Sequence, residues 1–272
     1  MYLENANDLN NIVQKIYDVT GFSAKHYRLS TLKRRLQLRL HATNTKSYRE
    51  YLSLLKQDSS ESHRFLKVFT VNVSDFFRDK RIFLSLKENV LPGILKKIKK
   101  QKRKRMRIWS IGCSKGQESY SIAIILKEII KNKYRDVKIM IHATDINREV
   151  LNQAIRAQYK KSEVKNIPRK YLNKYFKKMK TDEFRINDNI RKLVRFKHHD
   201  FIKGKSLGKF DLILCRNLFI FLEPQFQEKM FKKIYSSLKN EGILVLGTAE
   251  APKIENFFSY ISPKNHIYQK II

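Results

Sequence analysis

Three short segments carry residue types able to hold a small ligand or act on one. In the run from Gly112 through Ser121, Gly-Cys-Ser-Lys-Gly-Gln-Glu-Ser-Tyr-Ser, two glycines stand four apart, after an apolar run at 106–111 and before Ile122, Ala123, Ile125 and Leu126. Glycines at the carboxyl end of a first strand let a ligand approach the backbone, in the crevice where open α/β sheets bind ligands. The turn lacks the Gly-Lys-Ser/Thr ending that cradles a triphosphate, so it is not a phosphate loop. Any tight strand-to-helix turn could use the same glycines, so the turn alone does not decide. In Ala143-Thr144-Asp145-Ile146-Asn147 a carboxylate stands at the tip of a second apolar run, where dinucleotide folds place the acid that accepts ribose hydroxyls. The competing role for Asp145 is the N-cap of the next helix. The third segment, Cys215-Arg216-Asn217-Leu218-Phe219-Ile220-Phe221, follows the apolar run FDLILC and puts an arginine beside the same crevice. An unpaired buried charge is strongly destabilising, so Arg216 is not filler. Upstream, Ser74-Asp75-Phe76-Phe77-Arg78 sets an aromatic pair before another arginine. A ribose-binding acid without a pyrophosphate loop points to S-adenosylmethionine more than to NAD.

These segments need a scaffold, and the hydrophobic pattern supplies one. Leu9, Ile12, Val13, Ile16 and Tyr17 recur at helical spacing, Gly21 interrupts, and Leu29, Leu32, Leu36 and Leu40 resume it, which predicts an N-terminal all-helical domain over 1–80. Residues 81–105 read as a linker helix around Ile82, Phe83, Leu86, Leu91, Ile94 and Leu95, ending in a basic run. From 106 to 272 short apolar runs at 106–111, 137–143, 193–196, 210–215 and 243–247 alternate with helical stretches. Nearly all-apolar strands alternating with helices predict a doubly wound, mostly parallel α/β sheet of Rossmann-like class. The Lys-rich stretch at about 160–195 breaks the alternation, and a small inserted β-subdomain is expected there.

The chain has 272 residues and a formal net charge of +33, from 58 Lys and Arg against 25 Asp and Glu. Such a potential attracts nucleic acid, anionic lipid or acidic protein alike, although Lys is spread throughout rather than gathered in one tail. The two cysteines, Cys113 and Cys215, form no C-x-x-C pair, and no histidine cluster has metal-ligand spacing, so neither zinc nor disulfides are expected. The start of the chain lacks a signal-peptide pattern and no window approaches a spanning helix, so a cytoplasmic protein without membrane insertion is expected.

Five segments in order, TVNVSDFFRD (70–79), IWSIGCSKGQESYSIAI (108–124), ATDINREVLNQA (143–154), FDLILCRNLFIFL (210–222) and EGILVLGTAE (241–250), resemble the motifs of the CheR family of chemotaxis receptor methyltransferases. The helical domain and the insertion also sit where that family carries them. The resemblance implies a class I S-adenosylmethionine-dependent methyltransferase that esterifies glutamate side chains on the cytoplasmic domains of chemoreceptors, releasing S-adenosylhomocysteine. It implies that Asp145 binds the ribose and that Gly112 and Glu118 line its methionine and ribose side. Ser114, Gly116, Ile146, Asp200, Phe201 and Asn217 complete the implied cofactor set. Arg78, Arg216, Ser74 and Phe221 would surround the transfer site. A glutamate carboxylate is already ionised at neutral pH, so no general base is needed. Positioning and a carboxylate-orienting arginine suffice.

Several positions depart from the family pattern. Lys115, Gln117 and Ser119 are substitutions in the glycine turn, Ser74 replaces a threonine, and Asp200 stands where asparagine is frequent. Phe221 replaces a tyrosine and loses its hydroxyl, which leaves cofactor binding expected and the catalytic rate open. Lys33, Arg34, Arg35 and Arg39 crowd one helix and are candidates for docking acidic receptor helices, against the alternative of a solvated face. Some family members grip a receptor tether through a glycine-containing loop of the β-subdomain. No glycine lies between Tyr175 and His199, so tether independence is expected, as is a monomer. Two other functions compete. An RNA methyltransferase is favoured by charge, but the chain lacks an N-P-P-[YF] sequence after the fourth strand and a Pro-Cys nucleophile, and no stable nucleic-acid partner is expected. A regulator that binds cofactor without transferring methyl is motivated by Phe221 and the altered glycine turn.

Overall fold

The computed structural model describes residues 6–70, 74–130, 133–252 and 256–271; the first residues of the chain and 71–73, within the first of the five motifs, lie outside them. The chain divides into two compact units, residues 1–72 with 221–227, and 73–220 with 228–272.

The first unit holds α1 (Ala6–Thr20), α2 (Leu29–Thr43), α3 (Tyr48–Gln57) and α4 (Ser59–Phe69). Leu9, Ile12, Ile16, Leu32, Leu36 and Leu40 are buried, as the spacing predicts, whereas Tyr17 and Leu29 turn out to face solvent. Side-chain caps set two helix starts: Ser47 accepts from Glu50 N at 3.2 Å and Asp58 from Ser60 N at 2.9 Å. Asn44 ends α2 in the left-handed region at φ 55°. Segment 221–227 joins this unit through backbone bonds. Arg28 N donates to Phe221 O at 2.9 Å, Glu223 N donates to His26 O at 3.0 Å, and the His26 and Phe226 rings stack at 3.8 Å.

One docking candidate is corrected here. Arg39 forms a bidentate pair with Glu61, 2.8 Å for each bond, and Tyr51 donates to the same carboxylate at 2.8 Å. Glu61 is 1% exposed, so Arg39 neutralises an interior charge and is not available to a receptor. Removing one partner of a buried ion pair costs about 3–5 kcal/mol. Arg39→Ala is expected to lower unfolding free energy by about 3 kcal/mol in a urea melt. A loss below about 0.5 kcal/mol would show that Glu61 finds other partners. Arg34 is exposed, while Lys33 and Arg35 are half-buried.

The second unit begins with α5 (Lys80–Ser85), which runs through a π turn at Leu86–Val90 into α6 (Leu91–Lys100). Pro92 cannot donate to the carbonyl four residues back, and the helical ladder loosens just ahead of it. This stretch, set apart in the sequence as a linker, packs Ile82, Phe83, Leu86, Leu91 and Leu95 into the core that contains Ile108 and Leu212 of the sheet. Then follow β1 (Arg105–Ile111), α7 (Gln117–Ile130), β2 (Lys138–Asp145), α8 (Arg148–Arg156), β3 (Gln158–Lys160), α9 (Arg169–Tyr175), β4 (Phe176–Lys178) and β5 (Glu183–Ile186). The chain closes with α10 (Asp188–Arg191), β6 (Val194–His198), β7 (Phe210–Cys215), α11 (Pro224–Ser237), β8 (Leu238–Leu246), β9 (Phe258–Ser262) and β10 (Ile267–Lys270).

The main sheet has the order β6-β2-β1-β7-β8-β10-β9. The first five strands pair in parallel, and β10 runs antiparallel to β8 and β9. This is the expected doubly wound sheet, and its strand order reverses between β1 and β7. Every residue of β7 is buried, as a strand covered on both faces requires. The insertion is a three-stranded antiparallel sheet, β3-β5-β4, where a small β-subdomain was expected. No helix among the described residues is long and apolar enough to cross a membrane.

Candidate functional site

The carboxyl ends of β1, β2 and β7 meet at the reversal of strand order, where open α/β sheets bind ligands. The turn after β1 has Gly112, Ser114 and Gly116 at φ 67°, 50° and 86°. The two glycines serve different ends. Gly112 is exposed, and a Cβ there would meet Leu218 Cδ1 at 3.3 Å. Gly116 is buried, and a Cβ there would lie 2.9 Å from Phe196 Cζ and 3.1 Å from the Ala154 Cβ. Close packing explains Gly116, and only Gly112 presents open backbone to the crevice.

Asp145 ends β2 and is 8% exposed. Its Oδ2 accepts from Ser114 N and its Oδ1 from Asn147 N, each at 2.9 Å, so one carboxylate joins the turns after β1 and β2. The capping role weighed for Asp145 falls to Asn147, whose side chain accepts from Glu149 N at 2.9 Å at the start of α8. Each Asp145 oxygen keeps acceptor capacity for a ligand hydroxyl. Burial pushes its pKa above the ordinary carboxylate value, and the amides of Asn147, Ser114 and Ile146 pull it back in part. Ile146 is half-buried beside it.

Arg216 leaves the end of β7 with its side chain 3% exposed. Nη1 donates to Glu118 Oε2 at 3.1 Å; Nη2 donates to Arg78 O at 3.2 Å and pairs with Asp79. The Phe83 ring lies 5.6 Å from the guanidinium carbon, and Nε is buried without a hydrogen bond. Glu118, in the first turn of α7, also accepts from Ser110 Oγ at 2.8 Å. The arginine is therefore held between two carboxylates, and its direct effect is to fix Glu118 and the Arg78-Asp79 backbone. Phe77 and Asp79 sit at φ 53° and 61°, conformations that non-glycine residues adopt at a cost of about 1–2 kcal/mol each. Asp79 and Ser110 were missed in the sequence: an aspartate after an arginine reads as surface, and nothing local pairs it with residue 216. Ser74 lies in half-buried irregular chain, and Arg78 is half-buried. Phe221 ends a single 3₁₀ turn and belongs to the helical unit through its carbonyl.

The loop after β6 carries Asp200 and Phe201. The Asp200 Oδ1 is turned back on its own loop, accepting from Ile202 N at 2.7 Å and Lys203 N at 3.1 Å. Phe201 is buried edge-on to Trp109 at 5.9 Å. Lys233 of α11 donates to Phe201 O at 2.5 Å and to the carbonyls of Ile202 and Gly204, a cation holding this loop that no sequence signal marked. Lys115, a departure from the family pattern, pairs with Glu163 at 3.0 Å, while Tyr159 donates to Lys115 O at 2.7 Å. The inserted sheet is thereby fastened to the glycine turn. Cys113 and Cys215 are free and buried, and burial raises both thiols well above their ordinary value.

An exposed Gly112, a buried acid with remaining acceptor sites and the Glu118 side chain near them suit a ligand carrying a ribose and a cationic centre. Residues 72–266 match the S-adenosylmethionine-binding domain of CheR methyltransferase, and residues 7–70 match the all-alpha domain of CheR methyltransferase. The chain is 29% identical to a chemotaxis protein methyltransferase of Borreliella burgdorferi over 264 residues, covering 96% of this chain and 93% of that protein. It is 32% identical to chemotaxis protein methyltransferase 2 of Vibrio cholerae over 240 residues, covering 86% and 82%. A chemotaxis protein methyltransferase of Listeria monocytogenes is 28% identical, with coverage of 85% and 84%. The helical unit and the doubly wound sheet are thus those of an S-adenosylmethionine-dependent methyltransferase, and the chain belongs to the CheR methyltransferase family.

Proposed function

We propose that this protein methylates glutamate side chains on the cytoplasmic helices of chemoreceptors, making methyl esters that serve adaptation. The observation that carries this reading is the composition of the crevice. At the strand ends it gathers Arg78, Asp79, Glu118, Asp145 and Arg216, and an acceptor that is already a carboxylate needs no base among them. Bound S-adenosylmethionine supplies an electrophilic methyl on a sulfonium, which forms an O–CH3 bond with the glutamate oxygen as the C–S bond breaks and its electron pair returns to sulfur. No proton moves. Asp145 holds the ribose hydroxyls, Glu118 faces the cationic end of the cofactor, and Arg216 keeps Glu118 and the Arg78 backbone in register. Arg78, whose carbonyl accepts from Arg216, is the arginine assigned to meet the incoming carboxylate. Effective molarity from such positioning is large enough to carry the reaction.

Arg34, exposed on α2, and its neighbours Lys33 and Arg35 form the docking face for acidic receptor helices. The connection between β4 and β5, residues 179–182, is short and glycine-free, in keeping with methylation independent of a receptor tether. The enzyme works as a monomer in the cytoplasm.

The test is transfer of labelled methyl to chemoreceptor-containing membranes, followed by mild alkali. Alkali-labile label released as methanol from the receptor is expected, and it would show that Phe221 is tolerated in place of a tyrosine. Label appearing in RNA, with strongly salt-dependent binding, would replace this reading by the one that the +33 charge favours. Retained cofactor binding with no label on either would mark a regulator.

A further inference from the structure

Glu250, beyond the end of β8, is 4% exposed and has no role in the site described above. Its Oε2 accepts from Asn217 N at 2.8 Å and Gly247 N at 2.7 Å. Its Oε1 accepts from Phe219 N at 2.7 Å and Ile220 N at 3.4 Å. Three of these four donors belong to the single turn that follows Arg216, and the fourth belongs to the turn after β8. One carboxylate therefore staples the two turns together. Asn217 is held at φ 60°, a conformation a non-glycine residue does not choose freely.

Gly247 is part of the same device. A Cβ at 247 would lie 2.8 Å from Glu250 Oε2, 2.9 Å from Asn217 N and 2.9 Å from Asn217 Nδ2. The absence of a side chain is what lets the carboxylate reach the turn. On its other side the stapled turn places Leu218 Cδ1 against the glycine turn of β1, 3.3 Å from where a Gly112 Cβ would stand. The two walls of the cofactor crevice are thus spaced by a turn whose shape Glu250 dictates.

We propose that Glu250, with the space left by Gly247, is a positioning residue for S-adenosylmethionine: it sets Asn217 and Leu218 at the distance from Gly112 that the cofactor needs. This concerns the cofactor side alone and holds whatever the methyl acceptor is.

The experiment is calorimetric titration of S-adenosylhomocysteine into folded variants, with circular dichroism and a thermal melt as the folding control. Glu250→Gln keeps the length but offers one acceptor oxygen and turns an NH2 group onto the remaining amides. Its Kd is expected to rise at least about tenfold, a change of about 1.4 kcal/mol. Gly247→Ala removes no hydrogen-bonding group, yet it should displace the carboxylate and raise Kd to a similar extent. The double variant should be no weaker than the weaker single, because both act through one contact. In the methylation assay the loss should sit in KM for S-adenosylmethionine, with kcat at saturating cofactor within about threefold of wild type. A residue that only supported the fold would lower the melting temperature and leave Kd unchanged in the folded protein. A Kd within twofold of wild type in folded Glu250→Gln, or in Gly247→Ala should the first variant not fold, overturns the assignment. Additive losses in the double variant overturn the link between the two residues.

Discussion

Arg216→Lys is expected to lower methyl transfer to the receptor about 100-fold while leaving the protein folded. The guanidinium makes three directed contacts, with Glu118, with the Arg78 carbonyl and with Asp79, from a side chain that is 3% exposed. An ammonium is a compact charge that cannot span two carboxylates and a carbonyl from a rigid fork. Charge is conserved in this variant and geometry is not, so the loss measures positioning; a misplacement of about 1 Å can cost about 10²-fold in rate. Arg216→Ala should add a stability loss of about 3–5 kcal/mol, since Glu118 and Asp79 are left facing each other without their shared cation. Single-turnover transfer of labelled methyl, with urea melts on both variants, separates the two effects. A rate for Arg216→Lys within threefold of wild type would show that the directed contacts do not matter to transfer.

Asp145→Asn should raise the Kd for S-adenosylhomocysteine about 30-fold at neutral pH. Hydrogen bonds to a charged group contribute about 1.5–3 kcal/mol each, and about 1.4 kcal/mol is a factor of ten. The amide also turns an NH2 group toward the Ser114 or Asn147 N–H that the carboxylate accepts from. The wild-type protein should show a pH signature that the variant lacks. Because burial raises the Asp145 pKa, the accepting carboxylate is lost as pH falls through a value above the ordinary range. Affinity should then weaken as pH falls in the wild type and stay flat in Asp145→Asn. The sign for stability is opposite. A carboxyl whose folded pKa is raised contributes stability that is fully present below its unfolded pKa, about 3.9, and is lost as pH rises through the folded value. At this one residue cofactor affinity and folding stability trade against each other with pH. Titration calorimetry across a pH series reads the affinity directly; a Kd for Asp145→Asn within threefold of wild type at neutral pH would remove Asp145 from the ribose site.

Much of the fold was legible because it rests on local patterns. The apolar runs at 106–111 and 210–215 are strands in the structure, Leu32, Leu36 and Leu40 face the helical core, and Asp145 ends β2 beside the glycine turn. Period-two and period-3.6 burial is written in neighbouring residues, and so is a strand-tip acid. The edge strand β9 was not legible, because it exposes Tyr260 and Ile261 and carries no buried alternation.

What only the tertiary structure decided is which charges meet and which amides they gather. Arg39 and Arg34 are alike in sequence, yet one closes a buried pair with Glu61 and the other stays exposed. Gly116 and Gly112 look alike in a turn, and packing against Phe196 separates their reasons. Lys233 and Glu250 hold the loops after β6 and β7 through main-chain carbonyls and amides. Every residue but proline offers the same backbone groups, so a side chain that binds them leaves no mark in its partners' identities. Sequence determined the strands, the helices and the acid at the tip of β2; the distances that make a crevice of them come from contacts between residues far apart in the chain.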